Sequence, residues 1–473
     1  MFVSSRQQAL RCFLWISAWA SICYPIANGH GQDTPPNIVF IAIDDLNDWI
    51  GCLGGHPNAL TPNMDRLATR GILFRNAHCQ VPVCMASRVS VFSGKLASTT
   101  GCYEFNAEFH EASTLANDIP IPLLFKQQGY TTLGGGKLLH SGFKGRLAET
   151  FDVNLTQGRN PSPPDIMNWP VKVWDFGAYP NADEDMGDWQ LARSAADFLK
   201  AKQDKPFFLA TGFHRPHVPL HVPQKWFDLY DRDSLILPQA PLSDMDDIPE
   251  SDITRQQAVA PSHSEVLEAD KWRDFVHAYL ACVSFVDQCV GMVADAALDG
   301  PNGNNTLVVL WSDHGFHLGE KQHWAKRTLW EESTRTPLML AGKGIPTGTT
   351  SDAAVGLVDI YPTLLELAAL PSSQSFDGVS LVPLIRDPDK SWNHAVVSTW
   401  MPNNHCVIKD HWRYIHYKEG AEELYDLEAD PDEFHNLASN STYAEIKQDL
   451  AQHLPEINQP LLTPSGNAKR KSE

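Results

Sequence analysis

Three stretches of this chain are apolar without interruption, rich in β-branched or aromatic residues, and each runs into a polar, chemically capable tail. Asn37 to Ile43 (NIVFIAI) ends at Asp44-Asp45, Pro206 to Gly212 (PFFLATG) runs into His214-Arg215-Pro216-His217, and Thr306 to Trp311 (TLVVLW) ends at Ser312-Asp313-His314-Gly315. A strand without polar alternation is buried on both faces, as in a mostly parallel sheet covered by helices. In open α/β sheets functional groups collect beyond the carboxyl ends of the strands. Three ends furnished in this way predict one shared site.

Helical patterns lie between the strands, with candidates at Asn63 to Arg70, Leu191 to Lys202, Lys271 to Leu298 and Asp359 to Ala369. Residues 141–190 and 231–262, rich in Pro, Asp and Asn, are expected to be long loops over the sheet edge. After about residue 390 the texture changes. Val396 to Trp400, His405 to Lys409 and Arg413 to Tyr417 read as short antiparallel strands, Lys409-Asp410-His411 as the turn joining the last two, and Tyr443 to His453 as a final helix. The expected organisation is a signal segment over 1–31, a large main domain over 32–390, a C-terminal antiparallel subdomain over 391–463 and a disordered polar tail over 464–473. With 473 residues the chain can bury its core without staples.

The signal segment is read from basic Arg6 and Arg11, the apolar run Cys12 to Ile26 and the small residues of Ala27-Asn28-Gly29. It predicts an exported protein, secreted, periplasmic or lysosomal; an uncleaved anchor is the competing reading. No other stretch is expected to reach membrane-spanning length. Of nine cysteines, Cys12 and Cys23 would leave with the signal. The remaining odd set (Cys52, Cys79, Cys84, Cys102, Cys282, Cys289, Cys406) flags one cysteine with a separate job, while the others are free to pair in ways the spacing leaves open. A formal net charge of −20 argues against nucleic-acid or anionic-membrane partners and demands a local cationic pocket for any anionic substrate.

Such a pocket is expected around Val83-Cys84-Met85-Ala86-Ser87-Arg88. If a helix starts near Cys84, Arg88 lies one turn on, on the same face, and the free N–H groups and the positive end of the helix dipole favour an anion. A buried structural cysteine beside a surface arginine fits this segment equally well. Asp44, Asp45 and Asp313 offer hard carboxylate oxygens suited to Ca²⁺ or Mg²⁺. Lys137 and His140 (GKLLH), His214 (FHRPH) and Lys326 (HWAK) are each ordinary alone, and together they would form a cationic clamp that stabilises charge on a transferring group.

Cys84-x-Ala86-Ser87-Arg88, followed by Gly94-Lys95, resembles the signature of formylglycine-dependent sulfatases, whose usual form is Cys-x-Pro-x-Arg. Ala86 stands where Pro is usual, and the departure bears on which maturation enzyme would act. The resemblance extends to Pro57 to Leu67, to Tyr103-Glu104-Phe105-Asn106, to His214 to Tyr230 and to Glu423 to Leu437. Asp313-His314, where many relatives have Asn in place of His, is similar to the iduronate-2-sulfatase branch.

The resemblance implies an alkaline-phosphatase-like α/β fold: a large, mostly parallel sheet between helices, with a small C-terminal antiparallel sheet. It implies that a formylglycine-generating enzyme oxidises Cys84, and that one geminal hydroxyl of the aldehyde hydrate attacks sulfur. It implies one Ca²⁺ held by Asp44, Asp45, Asp313, His314 and the oxygens at position 84. Lys137 and Lys326 would bind sulfate oxygens, His140 would take the proton of the second hydroxyl, and His214 with Lys326 would assist the departing oxygen, with His217 ranked below His214. The expected substrate is a sulfated carbohydrate, by branch a uronate 2-sulfate. Fourteen Trp residues fit sugar stacking and a large core equally. Two other readings stand beside this one: a phosphodiester or phosphonate hydrolase on the same scaffold, and a non-catalytic glycan-binding relative whose Cys84 stays a thiol.

Overall fold

A computed structural model describes residues 34–106, 108–251 and 261–462. The signal segment, the tail 464–473 and the end of the second expected loop lie outside the described residues. The main sheet has eight strands: β1 (Asn37–Asp44), β2 (Gly71–Phe74), β3 (Thr131–Gly136), β4 (Val153–Asn154), β5 (Phe207–Pro216), β6 (Thr306–Ser312), β7 (Leu338–Gly342) and β8 (Thr349–Ser351). Their order across the sheet is β8-β2-β7-β6-β1-β5-β3-β4. Only β7 runs against its neighbours.

The three apolar runs of the sequence are the three central strands. Their uninterrupted character follows from having a core on each face. Val39, Ile41 and Ile43 pack with Leu209, Val308 and Leu310 on one side, and Ile38, Phe40 and Ala42 with Phe208, Val309 and Trp311 on the other. Helix α1 (Cys84–Ser93) is buried at every residue. Its Val89 and Phe92 belong to the second core. Helix α2 (Trp272–Leu298) covers the opposite face. At 27 residues it is, among the described residues, one helix long and apolar enough to span a membrane, which corrects the expectation that no such stretch follows the signal. Most of its apolar surface is buried against the sheet instead.

Two features were not read from sequence. Strand β3 (TTLGGG) carries three glycines, which depress strand propensity. The glycines are there because the chains pinch. Gly136 has φ +79°, and a Cβ there would lie 2.0 Å from the carbonyl oxygen of Gly212, while a Cβ on Gly212 would lie 2.2 Å from that of Lys137. The close approach delivers Lys137 to the end of β1. Residues 141–190 also contain a short strand, Phe176–Ala178, paired with Leu220–Val222.

At the C-terminus four antiparallel strands, β9 (Val396–Thr399), β10 (His405–Lys409), β11 (Trp412–His416) and β12 (Glu422–Asp426), lie in chain order. Helix α3 (Ala444–Ala451) follows them. Cys406, Ile408, Ile415 and Tyr425 of this sheet pack on Val81, Val83, Ala86 and Tyr103, so the sheet supports the segment that leads into α1. All seven described cysteines are unpaired. The odd count therefore carried no information about position 84.

Candidate active site

The carboxyl ends of β1 and β6, the start of α1 and the segment after β3 converge on one pocket. Opposite Ile43 and Asp44 a β-bulge in β5 takes up His214 and Arg215, so that Asp44 pairs with Pro216. Asp45 then adopts φ +61°, a costly backbone for a residue with a Cβ. The turn is held from behind: Tyr279 of α2 donates its hydroxyl to the Asp45 carbonyl at 2.7 Å, and the Leu46 N–H donates to Ser312 Oγ at 3.0 Å. Asp44, Asp45, Asp313, His314, Cys84 and Arg88 are all fully buried.

The donors around these carboxylates are fixed in space. Arg88 Nε lies 2.8 Å from Asp313 Oδ2, its Nη2 3.3 Å from Asp44 Oδ1, and its Nη1 donates to the Lys137 carbonyl. Its guanidinium thus braces two acids and a backbone turn. Lys137 Nζ lies 2.5 Å from Asp44 Oδ2. Lys326 Nζ lies 2.5 Å from Asp45 Oδ1 and 3.0 Å from Cys84 Sγ. His314 Nε2 lies 3.3 Å from Sγ and 3.4 Å from Asp45 Oδ1, while its Nδ1 faces the Gly315 carbonyl at 2.9 Å. That last contact orients the ring so that Nε2 faces the cluster.

Electrostatics follow from this burial. Burial pushes the Asp44 carboxyl up, but Lys137, His217 and Arg88 outweigh it and hold the group well below the ordinary carboxylate range. For Asp313 burial wins over Arg88 and His314, and the group sits above its ordinary value. Burial drives the Cys84 thiol up to about 12 against the pull of Lys137 and Lys326. His140 is held down to about 4, first by burial and then by Lys137.

Three carboxylates facing one another fit a divalent cation. Ligand atoms of Asp44, Asp45 and Asp313 lie within 4.8 Å of one another, as do those of Cys84, Asp313 and His314. Asp45 Oδ2 is buried and has no hydrogen-bond partner in the structure. An ion there would satisfy that atom and relieve the desolvated Asp313.

Not every expected residue enters the cluster equally. His140 lies beside it, its ring 4.8 Å from Phe105 and its buried Nδ1 without a hydrogen-bond partner. His214 is on the solvent side of the pocket, and Asp188 holds its backbone N–H at 2.9 Å. His217, ranked low in the sequence, comes closer: its Nε2 is 3.8 Å from Asp45 Oδ2. It also shares groups of potential ligand atoms with Asp44 and His214 and with Asp45 and Cys84. The bulge pairing Asp44 with Pro216 creates this proximity, and no periodicity in the sequence signals it.

The chain is similar to known proteins along most of its length. Residues 36–370 match the family described as Sulfatase, and residues 319–460 match the C-terminal domain of N-sulphoglucosamine sulphohydrolase. The chain is 38% identical over 441 residues to a sulfatase of Formosa agariphila, covering 89% of this chain and 87% of that protein. It is 31% identical to the iduronate 2-sulfatase of Mus musculus, covering 73% and 71%. The fold is similar to a solved structure in complex with its substrate D-glucosamine-2-N,6-O-disulfate, with a TM-score of 0.71, 22% identity, and 89% and 96% of the two chains covered.

Proposed function

The chain belongs to the sulfatase family and is a sulfuric ester hydrolase, and from that premise we propose that it removes sulfate from sulfated sugars, a uronate 2-sulfate foremost. The proposed site is the pocket at Cys84, with that residue oxidised to formylglycine by a maturation enzyme, in an exported protein. The observation that carries this reading is the convergence of the Lys326 ammonium at 3.0 Å and His314 Nε2 at 3.3 Å on Cys84 Sγ, beside three buried carboxylates.

Asp44, Asp45, Asp313 and His314 would hold one calcium ion. Bound there, the ion supplies Lewis-acid stabilisation of a sulfate oxygen. A hydrated aldehyde at position 84 supplies an oxygen nucleophile in place of the thiol. The chain's own residues do the rest. Lys137 and Lys326 bind the sulfate oxygens and offset charge that builds on them, in a site dry enough for each ammonium to count strongly. Arg88, buried and permanently charged, keeps Asp44 and Asp313 in register. His140 is neutral at ordinary pH, and its unpartnered Nδ1 is placed to take a proton. His214, on the open side, together with the Lys326 ammonium would assist the departing oxygen.

The mass of the proteolytic peptide carrying Cys84, measured on active protein, tests the reading. An aldehyde in place of the thiol, together with turnover of an aryl sulfate well above that of an aryl phosphodiester, is expected. An intact thiol in fully active protein would sink the nucleophile assignment. Removing metal with a chelator should abolish turnover, calcium should restore it, and Asp313→Asn should weaken metal retention and rate together.

A further inference from the structure

Beyond the sulfate-binding groups, one side of the pocket holds an arrangement to which the proposed chemistry gives no role. Arg327 follows Lys326 directly, and its φ is +78°, with Ala325 on the other side of the lysine at +70°. Such backbone conformations are costly for residues with a Cβ and persist where surrounding structure enforces them. They send two consecutive cationic side chains to different tasks. Lys326 reaches Cys84 Sγ. Arg327 reaches Glu104, Nη2 to Oε2 at 3.1 Å, and its guanidinium carbon lies 5.6 Å from the centre of the Phe105 ring.

The far side of this pair is fixed. Trp400, at the end of β9, donates its indole N–H to Glu104 Oε1 at 3.0 Å. Glu104 is thereby pinned between the C-terminal sheet and Arg327. Phe105 is 43% exposed although large and apolar. Its ring centre lies 4.8 Å from that of His140. A part-exposed aromatic ring next to a pocket histidine is apolar surface that a sugar ring can pack against. A guanidinium carries five N–H donors in a planar fork. Among the described residues Arg327 has one hydrogen-bond partner, Glu104, so the rest of the fork remains for a ligand. On a chain with net charge −20, a partly exposed cation held against Phe105, next to the pocket histidine His140, marks a place for an anion.

We propose that Phe105 and Arg327 form the sugar-reading half of the pocket, with Phe105 stacking on the ring and Arg327 binding the carboxylate of a sulfated uronic acid. This rests on the sulfatase reading above and deepens it: Lys137 and Lys326 take the sulfate, and Arg327 takes the second anionic group of the same sugar. Glu104 and Trp400 are positioning residues that hold Arg327 over the ring.

The test uses the full-length matured protein and two substrates, a uronate 2-sulfate monosaccharide and its methyl ester, in which a methyl group replaces the carboxylate charge. An aryl sulfate is assayed alongside. The wild-type protein should favour the acid by about tenfold or more in kcat/KM, as loss of a charged hydrogen bond implies. In Arg327→Gln that ratio should fall to within about threefold of unity, with most of the change in KM, and Arg327→Lys should recover part of it. A merely structural role for Arg327 would lower both substrates together and leave the ratio where it was. An unchanged ratio in Arg327→Gln, or a wild-type protein that treats acid and ester alike, overturns the proposal. Should Arg327→Gln fail to fold, the wild-type comparison of acid with ester still decides. Hydrolysis of the aryl sulfate without preference for the acid removes the carboxylate site alone. Failure to hydrolyse any sulfate ester removes the sulfatase reading and this proposal with it.

Discussion

Two clusters of buried charge lie in this molecule, and they are built differently. The first is the strand-end pocket, where the acids Asp44, Asp45 and Asp313 face Arg88, Lys137 and Lys326. The second lies where the main sheet meets the C-terminal sheet. There Arg413, fully buried, donates to the Leu329 carbonyl at 2.8 Å and Thr334 Oγ1 at 2.9 Å, and pairs with Glu331 and with Glu433 at 2.8 Å. Nearby, Glu423 accepts from Trp330 at 2.8 Å, Tyr425 at 2.6 Å and Tyr417. Lys321 lies 2.8 Å from Asp244. The second cluster runs through aromatic hydroxyls, an indole and backbone carbonyls, and it too leaves a buried acid oxygen, Asp244 Oδ2, without a hydrogen-bond partner. The first converges from three strand ends on a single small side chain, and leaves an acid oxygen, Asp45 Oδ2, without a donor. Burial of charge is thus common to structure and site. What separates them is convergence: three acids of the first face one another around one small side chain, with ligand atoms within 4.8 Å, whereas each acid of the second is matched to an arginine, a lysine or aromatic donors.

That difference gives opposite expectations for substitutions. The largest is for Cys84→Ala: turnover should fall by at least about 10⁴-fold, as for loss of a covalent nucleophile, while the denaturation midpoint stays within about 1 kcal/mol of wild type. Steady-state rates on an aryl sulfate and urea denaturation check the two halves. Retained activity would break the contrast at its centre. Arg413→Ala should do the reverse. Removing one partner from a buried ion network leaves Glu433 without its arginine and Glu331 with only the more distant Arg335, at a cost of about 3–5 kcal/mol. Turnover per folded molecule should stay near wild type. If instead stability holds and the rate collapses, the second cluster belongs to the site.

How far each cluster could be read from sequence follows from the same difference. The first sits at the ends of uninterrupted apolar strands, so Asp44-Asp45 and Asp313-His314 stand out against their neighbours. The second is assembled from Arg413 in a short strand, Glu331 at the start of a single-turn helix and Glu433 in an irregular segment, and nothing local marks them. Within the site itself, the apolar pattern located the two central acid-bearing strands but not glycine-rich β3, which presents Lys137, because its reason for existing is a close approach to Gly212 in space. Antiparallel β7 escaped for a related cause: direction is set by partners. Cys84 and Arg88 were legible as a helix face. That Arg88 braces Asp44 and Asp313 depends on tertiary packing. The nearness of His217 to Asp45 depends on a bulge that is invisible in the sequence.

Smaller effects sharpen the contrast. Lys137→Ala should raise the barrier by about 2–4 kcal/mol, the range for losing one donor to a developing oxyanion. Asp44 keeps Arg88 as a partner, so the fold should tolerate the change. A loss below tenfold in kcat/KM would move Lys137 out of contact with the reacting group.

The smallest expected effect comes from a pair whose geometry is as good as any in the pocket. Arg75 Nε lies 2.6 Å from Asp352 Oδ1, and Nη2 lies 2.5 Å from Oδ2, a bidentate arrangement tying the end of β2 to the segment after β8. Judged by distance alone, the pair equals Lys137 with Asp44. Yet its side chains are 48% and 70% exposed, whereas those of Lys137 and Asp44 are 7% and 0%. Water solvates both ions in either state, salt screens them, and ordering two long side chains costs entropy, so Arg75→Ala should change stability by less than about 1 kcal/mol and leave the rate unchanged. Urea denaturation at low and high salt decides the point. A cost above that limit, persisting in high salt, would mean that contact geometry outweighs burial in this protein, and the distinction between the two buried clusters and the surface would lose its basis.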